Sequence, residues 1–142
     1  MPPSQIQTSM RTELTAEVLR RFGFARIRVQ GSSMLPSLRP GDEIEVLSCS
    51  VAQVNQGDIV ACRRDDRLFV HRVASVNPLV TRGDALSEAD APVAESEFLG
   101  TVARVQRNGE RIDPRPSFAN LASAAIFRRS RFCAAIFVKT SR

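Results

Sequence analysis

Two hydrophobic periods divide the chain. Between residues 12 and 22, Leu14, Val18, Leu19 and Phe22 recur at helical spacing. Thr12 or Thr15 can cap the start, Glu13 and Glu17 suit the positive end of a helix, Arg20 and Arg21 the negative end, and Gly23 can stop it. The pattern predicts a short amphipathic helix over 12–22, its stripe packed on a core or left as a docking surface. From Phe24 onward the period changes to two. Residues 25–30 (ARIRVQ), 42–48 (DEIEVLS), 58–64 (DIVACRR), 67–76 (RLFVHRVASV), 79–82 (LVTR) and 98–107 (FLGTVARVQR) alternate or run apolar, with Gly, Pro, Asn and Asp between them. These read as strands, and the absence of helical patterns between them predicts antiparallel pairing instead of βαβ units. The short Asp65-Asp66-Arg67 connection predicts a hairpin between the third and fourth of them. After Asp113 a proline-containing linker, DPRPS, leads to Ser117 as a cap and to an apolar, basic stretch compatible with a C-terminal helix. The expected organisation is therefore a helical segment over residues 1–25, a mainly β domain over 26–113 and a tail over 114–142.

One stretch fits neither period. Residues 31–42, GSSMLPSLRPGD, combine two glycines, three serines and two prolines, which excludes a long helix or a central strand. Met34, Leu35 and Leu38 within it imply a loop pinned to a core, holding the neighbouring serines in a fixed pose. A fixed hydroxyl suits a nucleophile, although most serines in turns bond only to their own backbone.

Composition narrows the classes. A chain of 142 residues forms one domain of ordinary size without needing a metal or disulfide. No apolar run is long enough to span a bilayer, and the N-terminal stretch, with Glu13 and Glu17, is not a secretory signal. The net charge of +5 belongs to the tail, where Arg128, Arg129, Arg131, Lys139 and Arg142 stand without an acid. A balanced main body argues against nucleic acid as the partner. In the tail, cationic groups interleaved with Phe118, Phe127, Phe132 and Phe137 also suit the headgroup region of an anionic membrane, so residues 117–142 are a candidate peripheral membrane contact. Cys49, Cys62 and Cys133 have no CxxC spacing, so neither a zinc site nor a disulfide framework is indicated, and no cofactor is expected.

The inventory of bases is short. The chain has one histidine, His71, and one lysine, Lys139; its other basic residues are arginines, which stay protonated. A serine hydroxyl needs a neighbouring base to become a nucleophile, which leaves His71, Lys139 or a carboxylate. A histidine acting this way needs a carboxylate on its other ring nitrogen, and Asp84 or Asp90 in TRGDALSEAD could supply it.

These residues fall into four boxes, GSSMLPSLRPGDEIEV (31–46), GDIVACRR (57–64), VHRVASV (70–76) and LVTRGDA (79–85). In order and spacing they resemble the type I signal peptidase superfamily and its related self-cleaving repressors, over residues 26–107. The resemblance implies coiled antiparallel sheets forming a partly open barrel. It implies that Ser33, which precedes the methionine, is the nucleophile, with Gly31, Ser32, Met34 and Pro36 shaping the loop and its oxyanion site. His71 stands where the bacterial branch has a lysine, which is similar to the histidine-containing branch of the endoplasmic reticulum and archaea. That branch places the carboxylate partner at Asp90 and leaves Asp84 to organise the site.

Three departures stand out. The usual place of a membrane anchor holds only the short charged helix, which implies a cytoplasmic enzyme or one peripheral to a membrane. Gly31 replaces a serine that helps bind the oxyanion in many members, and the third box residue after Gly83-Asp84 is Ala85. The expected function is a serine endopeptidase that cuts an extended peptide or preprotein after small residues. The alternatives are a non-catalytic peptide-binding module on the same fold and a self-cleaving repressor-type domain, although repressor relatives use a Ser-Lys dyad.

Overall fold

The computed structural model describes residues 3–113. Within them one helix, α1 (Pro3–Phe22), precedes seven strands: β1 (Phe24–Arg28), β2 (Glu43–Leu47), β3 (Ile59–Arg64), β4 (Arg67–Val76), β5 (Leu79–Arg82), β6 (Phe98–Arg107) and β7 (Glu110–Ile112). They form a single sheet in the order β1-β2-β6-β3-β4-β5, with β7 added to β6. Every pairing is antiparallel, as the strand spacing predicts. The sheet is not closed, and it is one sheet where several were expected.

The pattern of β3 explains where the core lies. Ile59 and Ala61 join one apolar cluster with Leu19, Met34, Leu38, Ile44, Val46 and Val105. Val60 and Cys62, pointing the other way, join a second cluster with Val54, Val73, Leu79 and Val93. A strand covered on both faces has no reason to alternate, which is why Ile59, Val60, Ala61 and Cys62 read as a continuous apolar run. The predicted β3–β4 hairpin forms with Arg64 opposite Arg67. Its turn residues Asp65 and Asp66 have φ of 52° and 60°, the left-handed pair that matches the twist of the strands.

α1 departs from expectation. It begins at Pro3 instead of position 12, because a proline in the first turn has no N–H to lose and the polar residues after it have no competing strand pattern. It stops at Gly23 as predicted, with φ of 79° and its N–H bonded to the Leu19 carbonyl at 2.9 Å. The expected stripe is split. Leu19 is buried and Val18 packs beside it, whereas Leu14 and Phe22 are 65% and 70% exposed. β7 was not anticipated. Asn108 and Gly109 form its turn with positive φ, and their Asn-Gly pair is the signal that marks such a hairpin. The expected C-terminal helix and its membrane contact fall in residues 114–142, outside the described residues. Among the described residues no helix is long and apolar enough to cross a membrane.

Gly100 lets β6 cross close to the end of β2: a β-carbon there would collide with the Leu47 carbonyl oxygen. Gly100→Ala is expected to lower stability by about 1–3 kcal/mol, measured as a drop in urea midpoint at unchanged slope.

Candidate active site

The Gly31–Asp42 loop is closed at its base by two backbone bonds, from Val29 N–H to the Asp42 carbonyl (2.8 Å) and from Gly41 N–H to the Val29 carbonyl (2.9 Å). Asp42 itself, 2% exposed, accepts two bonds of 2.9 Å from Arg107 on β6 and one of 2.8 Å from the Arg39 N–H. Gly31 takes φ of 79° at the loop entrance, Ser32 is buried, Pro36 is half-buried, and Met34 and Leu38 insert into the first core cluster. The loop is anchored at both ends and in the middle, so the Ser33 hydroxyl between them is held in place.

His71 lies in the uncovered half of β4, since β5 pairs only from Arg72 to Val76. Its ring is fully buried. Nε2 is 3.1 Å from Ser33 Oγ and Nδ1 is 2.5 Å from Asp90 Oδ2. A neutral imidazole that donates from Nδ1 to the carboxylate leaves Nε2 as acceptor for the serine proton. Ser33, His71 and Asp90 thus form one continuous hydrogen-bonded chain, with the Asp90 side chain only 6% exposed.

Asp84 has a different place. It takes a bidentate pair from Arg72, with Nε and Nη2 each at 2.9 Å, and a hydrogen bond from the Ser37 hydroxyl at 2.6 Å. Arg72 also bonds the Gly57 carbonyl through Nη1 at 2.9 Å. The Asp84 N–H points at Met34 Sδ (3.5 Å), and the next N–H, from Ala85, bonds the Ser33 carbonyl at 2.9 Å. The Gly83–Ala85 turn therefore clamps the serine loop through Ser33, Met34 and Ser37. A β-carbon on Gly83 would lie 2.6 Å from the Ser33 carbonyl oxygen, so the clamp admits only glycine at that point.

A family model described as Peptidase S24-like matches residues 4–82, which includes Ser33 and His71 and stops before Asp84 and Asp90. The chain belongs to this family. No curated protein matches it significantly.

Within this S24-like domain, several contributors were not foreseen. Thr81, fully buried on β5, donates from Oγ1 to Asp90 Oδ2 at 2.8 Å, and its carbonyl accepts the Asp90 N–H at 2.8 Å. Arg64 bonds the carbonyls of Ala91 and Pro92, at 3.2 and 3.0 Å, and the Glu97 carboxylate, which secures the segment after Asp90. The Arg64 hydrogen bonds, followed by the Ala94 N–H, hold the Glu97 carboxyl at about 2, well below the usual carboxylate range. Nothing in the sequence spacing announces the Thr81 contact. An arginine directly after His71 on an otherwise apolar strand does signal a buried acid elsewhere, and Arg72 meets Asp84.

Cys62 sits in the second core cluster, where burial pushes its pKa up to about 12. It stays a protonated core residue at neutral pH. Among the described residues no cluster of His, Cys, Asp and Glu could hold a metal ion.

Two outcomes follow from this environment. Removing Arg72 in Arg72→Met leaves the buried Asp84 carboxylate uncompensated and is expected to destabilise by about 3–5 kcal/mol in urea unfolding. Cys62 is expected to resist iodoacetamide in the folded protein at pH 8 and to label in urea, read by peptide mass spectrometry; rapid labelling of the native protein contradicts its burial.

Proposed function

We propose that the protein is a serine endopeptidase of the signal-peptidase type, of the histidine-containing branch, that cleaves an extended peptide after small residues. The observation that carries the reading is the Ser33–His71–Asp90 chain, with contacts of 3.1 and 2.5 Å and a fully buried imidazole at its centre. Ser33 Oγ attacks the scissile carbonyl carbon while His71 Nε2 takes its proton. Asp90 holds the ring in the required tautomer and stabilises the imidazolium that forms. The tetrahedral oxyanion rests on the Ser33 N–H and a neighbouring backbone N–H of the Gly31–Ser32 turn. Collapse expels the amine, which takes the proton from His71, and leaves an acyl ester on Ser33. Water, deprotonated by the same imidazole, then releases the acid and restores the serine.

The groove beside Ser33 supports an extended substrate. It has a volume of about 410 Å³ and runs between the edge strand β1 and the first half of β4. A peptide laid there adds as a strand, its backbone read by the two edges and its side chains by the walls. Asp84 contributes by fixing the serine loop through Ser37 and the Ala85 N–H, without touching the imidazole.

Membership of the S24-like family favours a second reading, self-cleavage of the repressor kind, because that family also includes self-cleaving repressors. In that case the purified protein shortens with first-order kinetics independent of its concentration. The proposed peptidase instead cuts an added fluorogenic peptide of small residues. Ser33→Ala and His71→Ala are each expected to reduce that turnover by roughly 10⁴-fold or more, and Asp90→Asn by roughly 10²–10⁴-fold, with folding intact by circular dichroism. Turnover that survives Ser33→Ala rules out this nucleophile.

A further inference from the structure

The seam of α1 that turns toward the sheet is polar where a packed helix is apolar. Gln5, Thr8, Thr12, Thr15 and Leu19 follow one another at spacings of three and four residues and share one face, and of these only Leu19 joins a core cluster. Ile6, Met10 and Leu14 lie on the opposite side and are 44%, 66% and 65% exposed. Thr12 is buried all the same. Its hydroxyl donates to the Thr8 carbonyl at 3.0 Å, and the Thr8 hydroxyl donates to the Ser4 carbonyl at 2.9 Å. With their hydrogens committed to the helix, these two hydroxyls offer lone pairs to anything that lies against them.

Two cavities run end to end along that seam. The groove beside Ser33, of about 410 Å³, has Thr8, Thr12 and Thr15 on one wall and residues 26–30 and 67–70 on the others. A second cavity, of about 600 Å³, continues from Thr8 and Leu68 to the β3–β4 turn at Asp65-Asp66. No residue of β1 lines it, and its wall facing the hairpin is α1, through Ser4, Gln5, Thr8 and Ser9. α1 therefore takes the place of β1 where β1 gives out. The seam from Gln5 to Thr15 is about 15 Å long at 1.5 Å per residue, and Asp65 precedes His71 by six residues, about 20 Å at 3.3 Å per residue. The outer cavity holds charges of both signs, since Arg64 and Arg67 line it together with Asp65 and Asp66, and Arg64 is bound to Glu97. It has no field of one sign with which to select a charged side chain.

Resting on the reading of the groove as the peptide site, we propose that α1 is a substrate-binding element that holds the main chain of the peptide beyond the reach of β1. The enzyme then engages about five or six residues on one side of the cut, the number that spans the two cavities when extended. A peptide strand that leaves β1 carries N–H and C=O groups that need partners inside a walled trough. The Gln5 amide supplies a donor and an acceptor, the Ser9 hydroxyl supplies either, and the Thr8 oxygen accepts. These groups are neutral and bond main chain whatever the side chain. The outer trough thus reads the length of the substrate and not its sequence.

The test separates binding from chemistry. Fluorescein-labelled alanine-rich peptides with three to eight residues on one side of the intended cut and three on the other, and the mirror series, are titrated into the full-length Ser33→Ala protein. On one side only, the fifth and sixth residues are expected to tighten binding together by about threefold to tenfold, with no gain beyond them. N-methylation of their amides removes the gain, and exchanging their side chains for Ser or Gln keeps it. In Gln5→Ala/Ser9→Ala the six-residue peptide binds no tighter than the four-residue one, while Met10→Gln, on the outward face, keeps the difference; circular dichroism checks that both variants fold. No peptide binding, no gain past four residues, a gain that survives N-methylation or the double variant, or an equal loss in Met10→Gln overturns the proposal. The active protein distinguishes the two readings: cleavage equally fast for four and six residues leaves the peptidase standing without this extension. Length-dependent binding without cleavage by the Ser33 form leaves the trough standing without the peptidase.

Discussion

A fully buried imidazole has to find hydrogen-bond partners for both ring nitrogens or bear the cost of desolvating them. In this protein that requirement is met from two loops separated widely in sequence, with Ser33 on one side of His71 and Asp90 on the other. The rest of the architecture can be understood as what holds those two loops against the middle of β4. The sheet supplies a rigid strand for the histidine. The loops supply the groups that only loops can aim.

Each loop is fixed by a charge pair whose partner sits on a strand. Asp42 closes the serine loop onto Arg107 of β6, and Asp84 ties the Gly83–Ala85 turn to Arg72 of β4. Both pairs are bidentate, which sets orientation as well as distance. Thr81 and Arg64 do the same for the Asp90 side. A serine, a histidine and an aspartate held this way have little rotamer freedom left, which fixes their hydrogen-bonded chain in one geometry.

The helix shows the opposite logic. Ile6, Met10 and Leu14 face outward and its threonines and Arg11 line the groove, so it adds more to the groove wall than to the core, which it meets through Val18 and Leu19. Reading Leu14 and Phe22 into a core stripe failed for that reason. Helical spacing says which residues share a face, and it cannot say whether that face meets protein or solvent. Strand reading fared better. β4 and β5 match their predicted spans, because the two-residue turn at Asp65-Asp66 and the breaks around Asn77-Pro78 leave the alternation no other register. β7 was readable from Asn108-Gly109 and was overlooked because three residues are too short to show a period.

Residue chemistry alone determined that the chain is mainly β and that residues 31–42 form a pinned loop, and it narrowed the bases open to a serine to His71, Lys139 or a carboxylate, since arginines keep their protons. These are local properties, set by side-chain type and period. The choice between Asp84 and Asp90 was of another kind. Both follow β5 and both are acidic, so residue types left them open and only the family resemblance pointed to Asp90. Tertiary structure separated them: Arg72 projects from β4 to meet Asp84, and the Thr81 backbone and hydroxyl turn Asp90 toward the imidazole. Which carboxylate reaches a ring across a sheet is decided by where three strands and two loops come together, and that distance is not written along the chain.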